Sequence, residues 1–475
     1  MRHAPRVAEP LHWWSARDLV HAIASRELSA VDVMRAHLDR IHAVNPGLNA
    51  IVTLLDDDAA LALAQEADRA VAAGASLGPL HGLPFAVKDL MDTAGMRTTY
   101  GSPLYADHVP ATDSLLARRV REAGALIIGK TNTPEWGAGS QTFNPVFGAT
   151  RNPYDPDRTC GGSSGGAAVV LAAGMLPLAD GSDLGGSLRN PAAFCNVVGV
   201  RPSPGRVPSD GPGDAFNPHP ILGPMARTTS DAGLLLAALA GGDAGAPIAL
   251  DDDPRPFASL PARGVQDLRV AWSATTDGLP YEPEILDVLA TARERLAGSG
   301  AQVTQLEPDL EGADEVFETF RALGMVPMAA QIEAHPDAFK ATVRHNVAQG
   351  LALTPTDIAR AATLRTALYR RTVRLFAEHD VLALPVTQVV PFAVEQEFPT
   401  DVAGVPMDGY LEWMRSCSRI SATTLPAVSV PAGFTAAGLP VGLQLVGAPR
   451  GERALLAIAA AVEELLGAGA RRPSI

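Results

Sequence analysis

Residues 160–191 read CGGSSGGAAVVLAAGMLPLADGSDLGGSLRNP, which is two glycine–serine clusters separated by an apolar segment. The first cluster surrounds Ser163 and the second surrounds Ser187. The residues before the first cluster, RNPYDPDRTC, are polar and interrupted by proline, whereas the apolar run MLPLAD precedes the second. A stretch of helical periodicity follows each cluster, so both predict glycine-rich turns that lead into helices.

The first cluster fits G-x-S-x-G, the nucleophile elbow of the α/β-hydrolases, with Ser163 at its centre. An elbow serine follows a buried strand directly, and the polar residues before Gly161 do not predict one. A phosphate-binding loop is disfavoured as well, because no lysine follows these glycines. Ser187 is the better nucleophile on physical grounds, since glycines before a helix can aim several backbone N–H groups at an oxyanion.

A serine hydroxyl needs a base before it can act as a nucleophile. No histidine lies near either cluster, whereas Lys88 ends the apolar run LPFAVK. Burial would lower the pKa of a lysine from about 10.4 towards neutrality and make its amine a competent base. A lysine that closes a strand can equally be a surface residue, so the residues alone leave both interpretations open.

Short apolar runs alternate with helical periodicity from residue 82 onwards. The runs cover 83–88, 125–130, 175–180, 196–200, 268–273, 381–386, 427–433 and 441–447, and the helical stretches cover 113–123, 229–240, 284–297, 355–378 and 452–466. This alternation predicts an α/β fold with a mixed or parallel central sheet covered by helices on both faces. Two helices are predicted within 15–45, the second capped by Ser29 and Asp32, and a third at 56–73.

We expect residues 1–75 to form a helical segment packed on the core and residues 76–475 to form the main domain. The least regular pattern spans about 310–420, which we interpret as a variable subregion that covers a pocket. The 475 residues carry a net charge of −14, which disfavours binding to nucleic acid and to anionic membranes. We therefore expect a small-molecule substrate and a monomer or homodimer.

The three cysteines are Cys160, Cys195 and Cys417, and no C-x-x-C pair exists among them. The chain therefore shows no redox or metal motif, and we expect neither a metal nor a cofactor. The N-terminal residues lack the apolar segment of a signal peptide, and no apolar run is long enough to span a membrane. A reduced, cytoplasmic setting is expected.

Three segments together resemble the amidase signature family of serine hydrolases: GLPFAVKDLMDTAG (82–95), GGSSGGAA (161–168) and GSDLGGSLRNPAAFCNVVGVRPSPGRVP (181–208). Ser163 and Ser187 stand 24 residues apart, as the two catalytic serines of that family do. Further blocks at 27–50, 223–241 and 425–447 extend the resemblance over nearly the whole chain. The resemblance implies a single large amidase-signature domain with a mixed central sheet.

The resemblance also implies a Ser-Ser-Lys triad. Ser187 is then the nucleophile, Lys88 the base, and Ser163 the bridging serine, held by a cis peptide bond to Gly162. The implied oxyanion donors are the backbone N–H groups of Leu184, Gly185, Gly186 and Ser187. The residues expected to support and orient the triad are Gly162, Ser164, Asp183 and Arg189, with a purely structural ion pair as the alternative for the last two.

The implied reaction is hydrolysis of a C–N bond through an acyl-enzyme. The sequence is most similar to a bacterial branch of broad-specificity amidases that includes urethanases acting on small aryl carbamates. That branch implies Ala138, Gly139 and Gln396 as substrate contacts, while Trp413, Tyr410 and Phe392 either line an aromatic pocket or pack in the core. The alternatives are a glutaminase-type subunit of a tRNA-dependent amidotransferase and a plain aliphatic or aryl acylamidase with esterase side activity.

Overall fold

The computed structural model describes residues 9–211 and 213–475. The helices are α1 (Ala16–Ala24), α2 (Ala30–Leu48), α3 (Asp57–Ala72), α4 (Leu115–Glu122), α5 (Gly165–Ala172), α6 (Arg189–Phe194), α7 (Thr229–Leu239), α8 (Pro283–Gly298), α9 (Ala313–Met325), α10 (Ala329–Ala334), α11 (Ala341–Leu351), α12 (Pro355–Val373), α13 (Arg415–Ala422) and α14 (Glu452–Leu466). The strands are β1 (Ile51–Leu54), β2 (Pro84–Lys88), β3 (Leu126–Thr131), β4 (Phe143–Asn144), β5 (Gly148–Ala149), β6 (Arg151–Asn152), β7 (Asp155–Thr159), β8 (Leu178–Asp183), β9 (Val198–Arg201), β10 (Ile221–Ala226), β11 (Arg269–Trp272), β12 (Gln302–Gln305), β13 (Val381–Pro385), β14 (Asp401–Val402), β15 (Val405–Pro406), β16 (Ala427–Phe434) and β17 (Pro440–Val446).

The central sheet is mixed, as predicted. Its eight strands run in the order β12-β11-β13-β17-β16-β9-β10-β8. Strand β11 pairs in parallel with β12 and β13, and the remaining neighbours pair antiparallel. The strand that ends at Lys88 is not part of it: β2 belongs to a separate three-stranded sheet of order β1-β3-β2. The apolar runs predict that strands exist, but they do not indicate which distant strands pair with each other.

Helices cover both faces of the central sheet, and two glycines locate them. Gly442 on β17 pairs with Pro431, and a Cβ placed on it would lie 2.6 Å from Ala193 of α6. Gly433 on β16 pairs with Val441, and its Cβ would lie 2.7 Å from Val288 of α8. Successive residues of a strand face opposite sides, so α6 and α8 lie on opposite faces of the sheet.

The N-terminal helices form where the sequence predicts them, and they share the main core. Ser29 and Asp32 form a complete capping box at the start of α2. Leu19, Met34 and Ile41 are buried in the same apolar cluster as the sheet residues. The part of the predicted helical segment that covers residues 1–8 lies outside the described residues, and the division at residue 75 stays a prediction.

Several elements differ from the sequence prediction. Strands β1, β10 and β12 were not predicted, and the polar residues before the first serine cluster form the short β6–β7 hairpin rather than an irregular segment. Strand β7 is mostly exposed, so it still differs from the buried strand that an elbow requires. The subregion at 310–420 contains helices α9 to α12, but it also supplies β13, which lies inside the central sheet between β11 and β17.

Candidate active site

Lys88 lies at the end of β2, a strand whose five residues are all buried. Its Nζ lies within hydrogen-bond distance of the hydroxyls of Ser163 and Ser164, both at 2.8 Å, and of Ser182 at 3.0 Å. In the neutral form the amine can donate to two of these hydroxyls and accept from the third. Burial lowers the pKa of Lys88 to about 7, although the nearby carboxylates of Asp180 and Asp183 oppose the shift. Lys88 is therefore a buried amine that is substantially neutral at physiological pH and surrounded by hydroxyl groups.

Two hydrogen bonds join the two serine clusters, one between backbone groups and one from a backbone N–H to a side chain. The N–H of Ser164 donates to the carbonyl of Ser187 at 3.2 Å, and the N–H of Gly162 donates to Asn190 Oδ1 at 2.9 Å. The Gly162–Ser163 peptide bond is cis, as the family resemblance implies. A Cβ on Gly162 would lie 3.0 Å from the backbone carbon of Gln141, so the loop has little room for a side chain there.

The three triad candidates differ in their exposure to solvent. Lys88 has none, Ser163 is 2% exposed and Ser187 is 8% exposed. Ser187 is therefore the most exposed of the three residues, and Lys88 is the most deeply buried. Within the described residues no direct hydrogen bond joins the hydroxyls of Ser163 and Ser187, so proton transfer between them belongs to the proposal below.

The turn that contains Ser187 carries the four backbone amides predicted as oxyanion donors, and three of them are unpaired within the described residues. The N–H groups of Leu184, Gly185 and Ser187 make no hydrogen bond within the described part of the chain. The N–H of Gly186 instead donates to Asp183 Oδ1 at 2.8 Å, because the Asp183 side chain closes the turn. The Gly186 amide is therefore already paired in this structure, and the role of the other three amides as oxyanion donors stays a prediction.

Asp183 and Arg189 form a buried pair that holds this turn. Arg189 donates to both carboxylate oxygens at 3.0 and 2.9 Å, and the N–H of Leu188 donates to Asp183 as well. Arg201 is a second cationic partner at 3.2 Å. Burial alone would raise the pKa of Asp183, but Arg189 and Arg201 hold it well below its usual range. The pair is structural, and what it shapes is the turn around Ser187.

Asp180 and Ser182 belong to the site, and the sequence analysis missed both. Asp180 Oδ1 accepts the backbone N–H of Lys88 at 3.0 Å, while its Oδ2 has no partner within the described residues. Burial raises the pKa of Asp180 to about 6 against the effect of Lys88 and Lys130. The signal was present in the sequence, since Asp180 and Ser182 alternate on β8 and so share the face towards Lys88.

The loop at 135–141 lies against the bridging serine. A Cβ on Gly137 would lie 2.9 Å from the Leu90 side chain and 3.6 Å from Ser163 Oγ, so this glycine allows the loop to pack closely beside the hydroxyl. A Cβ on Gly139 would lie 3.2 Å from Nζ of Lys340. Neither Gly137 nor Lys340 was singled out from the sequence, because their partners are distant along the chain.

Two of the predicted substrate contacts, Ala138 and Gln396, form no hydrogen bond with the triad within the described residues. Ala138 is buried in a small apolar cluster with Phe339 and Val343. Gln396 is half-buried in a turn in which its N–H donates to the carbonyl of Ala393, and no hydrogen bond joins its side chain to the triad within the described residues. Their contact with substrate stays a prediction.

The three aromatic candidates divide between core and cavity. Trp413 stacks on Phe194 with ring centroids 5.8 Å apart, and Phe392 packs edge-on against both rings. Trp413 is fully buried and Phe392 is nearly so, which makes them core residues rather than pocket lining. Tyr410 alone of the three lines a cavity.

That cavity has a volume of about 670 Å³ and lies between α9, α11 and the segment 408–415. Helix α9 connects it to the serine turn: a Cβ on Gly185 would meet the ring of Phe317 at 2.5 Å, and Arg321 lies one turn further along the same face. The lining includes none of Lys88, Ser163 and Ser187, so a role of this cavity in substrate binding is a proposal that rests on its connection through α9. Its polar lining includes Arg321, Asn346, Tyr410, Glu412 and Arg415.

Residues 9–211 and 213–475 provide neither a metal-binding cluster nor a membrane-spanning helix. No group of three or more histidine, cysteine, aspartate or glutamate residues there is arranged to hold a metal ion. In the same residues no helix has both the length and the apolar character needed to cross a membrane.

Known proteins support the family that the residues suggest. The family model described as Amidase matches residues 32–456. The chain is 34% identical over 462 residues to an acylamidase of Rhodococcus erythropolis, covering 95% of each chain. It is 33% identical over 474 residues to a glutamyl-tRNA(Gln) amidotransferase subunit of Thermosynechococcus vestitus, covering 94% of this chain and 97% of that one.

A solved structure, that of a bacterial aryl acylamidase of the amidase signature enzymes, superposes with a TM-score of 0.89 at 28% identity. The match covers 98% of this chain and 100% of that one. The chain belongs to the amidase signature family and is a C–N hydrolase of that family.

Proposed function

We propose that this protein hydrolyses the C–N bond of amides, including anilides, and of small aryl carbamates through an acyl-enzyme on Ser187. The observation that supports this most strongly concerns the Lys88 amine. It is buried, its pKa is lowered to about 7, and it is hydrogen-bonded to the hydroxyls of Ser163, Ser164 and Ser182. A neutral amine in contact with a hydroxyl is the arrangement that general-base activation of a serine requires.

In the proposed relay, protons move from Ser187 through Ser163 to Lys88 during the attack and return along the same path when the C–N bond breaks. Neutral Lys88 takes the proton of Ser163 while Ser163 takes that of Ser187, and Ser187 Oγ attacks the substrate carbonyl carbon. When the C–N bond breaks, Ser163 returns a proton to the leaving nitrogen and Lys88 restores the proton of Ser163. Water then attacks the Ser187 ester by the same relay and releases the acid.

The oxyanion formed in each attack needs donors that are already in position. The free N–H groups of Leu184, Gly185 and Ser187 supply three in this proposal. Asp183 holds the Gly186 and Leu188 amides and so fixes the turn, which spares the donors any reorganisation during the reaction. Removing one such donor from an enzyme typically costs about 10²–10³-fold in kcat.

Similarity to acylamidases and the size of the cavity support an aromatic amide or carbamate as substrate. The test is a panel containing 4-nitroacetanilide, a primary aliphatic amide, a 4-nitrophenyl ester and an N-aryl ethyl carbamate, each assayed with the purified chain alone. We expect turnover of the anilide and the carbamate. Cleavage of the anilide without the carbamate would reduce the proposal to a plain acylamidase.

The nucleophile is tested by Ser187→Ala with the exposed Ser25→Ala as a matched control. Ser187→Ala should lose essentially all turnover while the circular dichroism spectrum stays unchanged, and Ser25→Ala should retain full activity. Mass spectrometry after a rapid acid quench should show an acyl adduct on the peptide that contains Ser187. Substantial turnover by Ser187→Ala, or an adduct on Ser163, would refute the assignment.

The second candidate function is a glutaminase subunit, which the similarity to the amidotransferase of Thermosynechococcus vestitus favours. The same panel discriminates the two functions once glutamine is added to it. A glutaminase subunit should release ammonia from glutamine only when its partner subunits are present and should leave the anilide intact. Hydrolysis of the anilide by the chain alone supports the stand-alone amidase.

A further inference from the structure

We propose that Lys340, together with Arg321, binds a carboxylate group of the substrate at the end distant from the scissile bond. This inference rests on the proposed function and specifies the substrate class: amides that carry a carboxylate on the acyl chain or on the amine side. It depends on two cations that lie beside the serine turn and form no ion pair with any described residue.

Lys340 precedes α11, and its ammonium group is buried without a hydrogen bond to any described residue. The contact it does make in the described part of the chain is with the ring of Phe143, 5.3 Å from Nζ. A cation–π contact is worth about 0.5–2 kcal/mol, whereas desolvating an ammonium ion costs several kcal/mol. A buried donor of this kind is stabilised when an acceptor, and above all an anion, binds beside it.

The position of Lys340 connects it to the catalytic residues. Its Nζ lies next to Gly139, where a Cβ would be 3.2 Å away, and Gly137 of the same loop lies next to Ser163 Oγ. Any side chain at Gly139 would fill the space beside the ammonium. The loop 135–141 therefore lies beside both the bridging serine and the lysine ammonium.

Arg321 of α9 supplies the second cation. Its side chain lines the cavity, donates one N–H to the hydroxyl of Tyr410 and stacks over the Tyr410 ring at 5.3 Å. It forms no ion pair with a described carboxylate. Burial is the main reason that the pKa of Lys340 is lowered to about 8; the carboxylates of Glu397 and Glu135 oppose the shift, and the nearby charge of Arg321 adds to it. Neither carboxylate is hydrogen-bonded to the ammonium, so the two cations still favour a bound anion.

The carboxylates in this region are already engaged elsewhere. Glu135 accepts from the hydroxyl of Ser102 and from the backbone N–H of Lys340 rather than from its ammonium. Glu397 accepts from Thr342. Glu318 and Glu412 at the cavity both lie near Arg415 instead. A substrate carboxylate is therefore the partner that Lys340 and Arg321 lack among the described residues.

The test compares two matched pairs of substrates. Succinic acid mono-4-nitroanilide is compared with pentanoic acid 4-nitroanilide, and 4-acetamidobenzoate with 4-methylacetanilide. The first pair places the carboxylate on the acyl side and the second on the amine side. The variants are Lys340→Met, Lys340→Arg and, as a control for net charge on the same helix, the exposed Arg344→Met.

In the unmodified protein we expect kcat/KM to favour the charged member of at least one pair. Lys340→Met should lower that preference at least about tenfold, since hydrogen bonds to charged groups carry most of the discrimination. Lys340→Arg should keep most of it, and Arg344→Met should keep all of it. Arg321→Gln provides an independent variant with the same expected loss, should Lys340→Met fail to fold.

An unchanged preference in both pairs for Lys340→Met and Arg321→Gln would overturn the proposal, as would the lack of any preference in the unmodified protein. Failure of the proposed function gives a different pattern, because then the neutral anilides are not cleaved either. In that case calorimetric binding of 4-acetamidobenzoate and of the succinic anilide still tests the site, and equal binding with and without Lys340 would refute it.

Discussion

Two buried lysines, Lys88 and Lys130, lie on neighbouring strands of the same three-stranded sheet. Both end an apolar run in the sequence, LPFAVK and ALIIGK, and burial lowers the pKa of both, to about 7 and about 8. Val87 pairs with Lys130 across the parallel strands, so Lys88, one residue further on, faces the other side of the sheet. Similar sequence patterns thus place two amines in different surroundings.

The difference lies in what each amine contacts. Lys88 bonds to three hydroxyl groups, each of which can pass a proton. Lys130 bonds to the carbonyl of Met91, which has no proton to give, and to the hydroxyl of Thr93, which donates its proton to the same carbonyl. We conclude that the neighbours of a buried lysine, rather than its burial or its pKa, separate a candidate base from a structural donor.

The sharpest way to break this comparison is to remove each amine in turn. Lys88→Met should lower kcat/KM for 4-nitroacetanilide by about 10³–10⁴-fold, because the relay loses its base. Lys130→Met should lower it by less than tenfold per folded molecule. The measurement is steady-state kinetics normalised to active protein. Comparable losses in both variants would show that the two lysines do not differ in role.

Stability should show the reverse ranking. Lys130→Met leaves the Thr93 hydroxyl without its donor and the Met91 carbonyl with only the longer bond from Thr93, and we expect the free energy of unfolding to fall by about 1–3 kcal/mol. Lys88→Met should cost less, since its serine neighbours retain other contacts such as the one between Ser164 and Ser182. Urea unfolding followed by circular dichroism checks this, and a larger loss for Lys88→Met would contradict it.

The pH dependence tests the charge state of Lys88. A base with a pKa of about 7 is protonated below that pH, so kcat/KM should fall about tenfold per unit in acid and level off in mild alkali. The Asp180 carboxylate favours the protonated amine, so Asp180→Asn should move the midpoint to lower pH. Asp89→Asn, beside Lys130, should leave the midpoint where it is. Equal shifts in the two variants would count against this assignment of charges.

The smallest expected effect is at Ser182. Ser182→Ala removes one of the three acceptors of Lys88 and leaves the contacts with Ser163 and Ser164. We expect kcat to change by less than about tenfold, since a single neutral hydrogen bond contributes about 0.5–1.5 kcal/mol. A loss as large as that of Lys88→Met would place Ser182, rather than Ser163, on the proton path.

Much of this site could be predicted because its residues lie next to local signals. Ser163 and Ser187 stand in glycine-rich turns before helices, and Lys88 ends an apolar run. The partners that adjust the chemistry could not be predicted in the same way. Asp180 reaches Lys88 across 92 positions, and Lys340 reaches Gly139 across 201, and nothing local records such contacts. The orientation of the Gly186 amide likewise depends on how Asp183 folds back.

The fold shows the same division between local and distant information. Helix α2 and its capping box follow from residues within one turn of each other. The separation of β2 from the central sheet, and the place of β13 within it, depend on pairings between distant segments. Trp413 shows the limit for side chains, since an aromatic residue in a predicted pocket segment proves to be stacked in the core.

The three triad candidates come from three different parts of the architecture. Lys88 ends a strand of the small sheet, Ser163 precedes α5, and Ser187 follows the edge strand of the large sheet. Activity should therefore require the complete tertiary structure, and the formation of helices and strands alone should not restore it. A refolding sample should regain its helical signal before its activity, and a protease cut in the loop between β2 and β3 should silence the enzyme even while most of the chain stays folded.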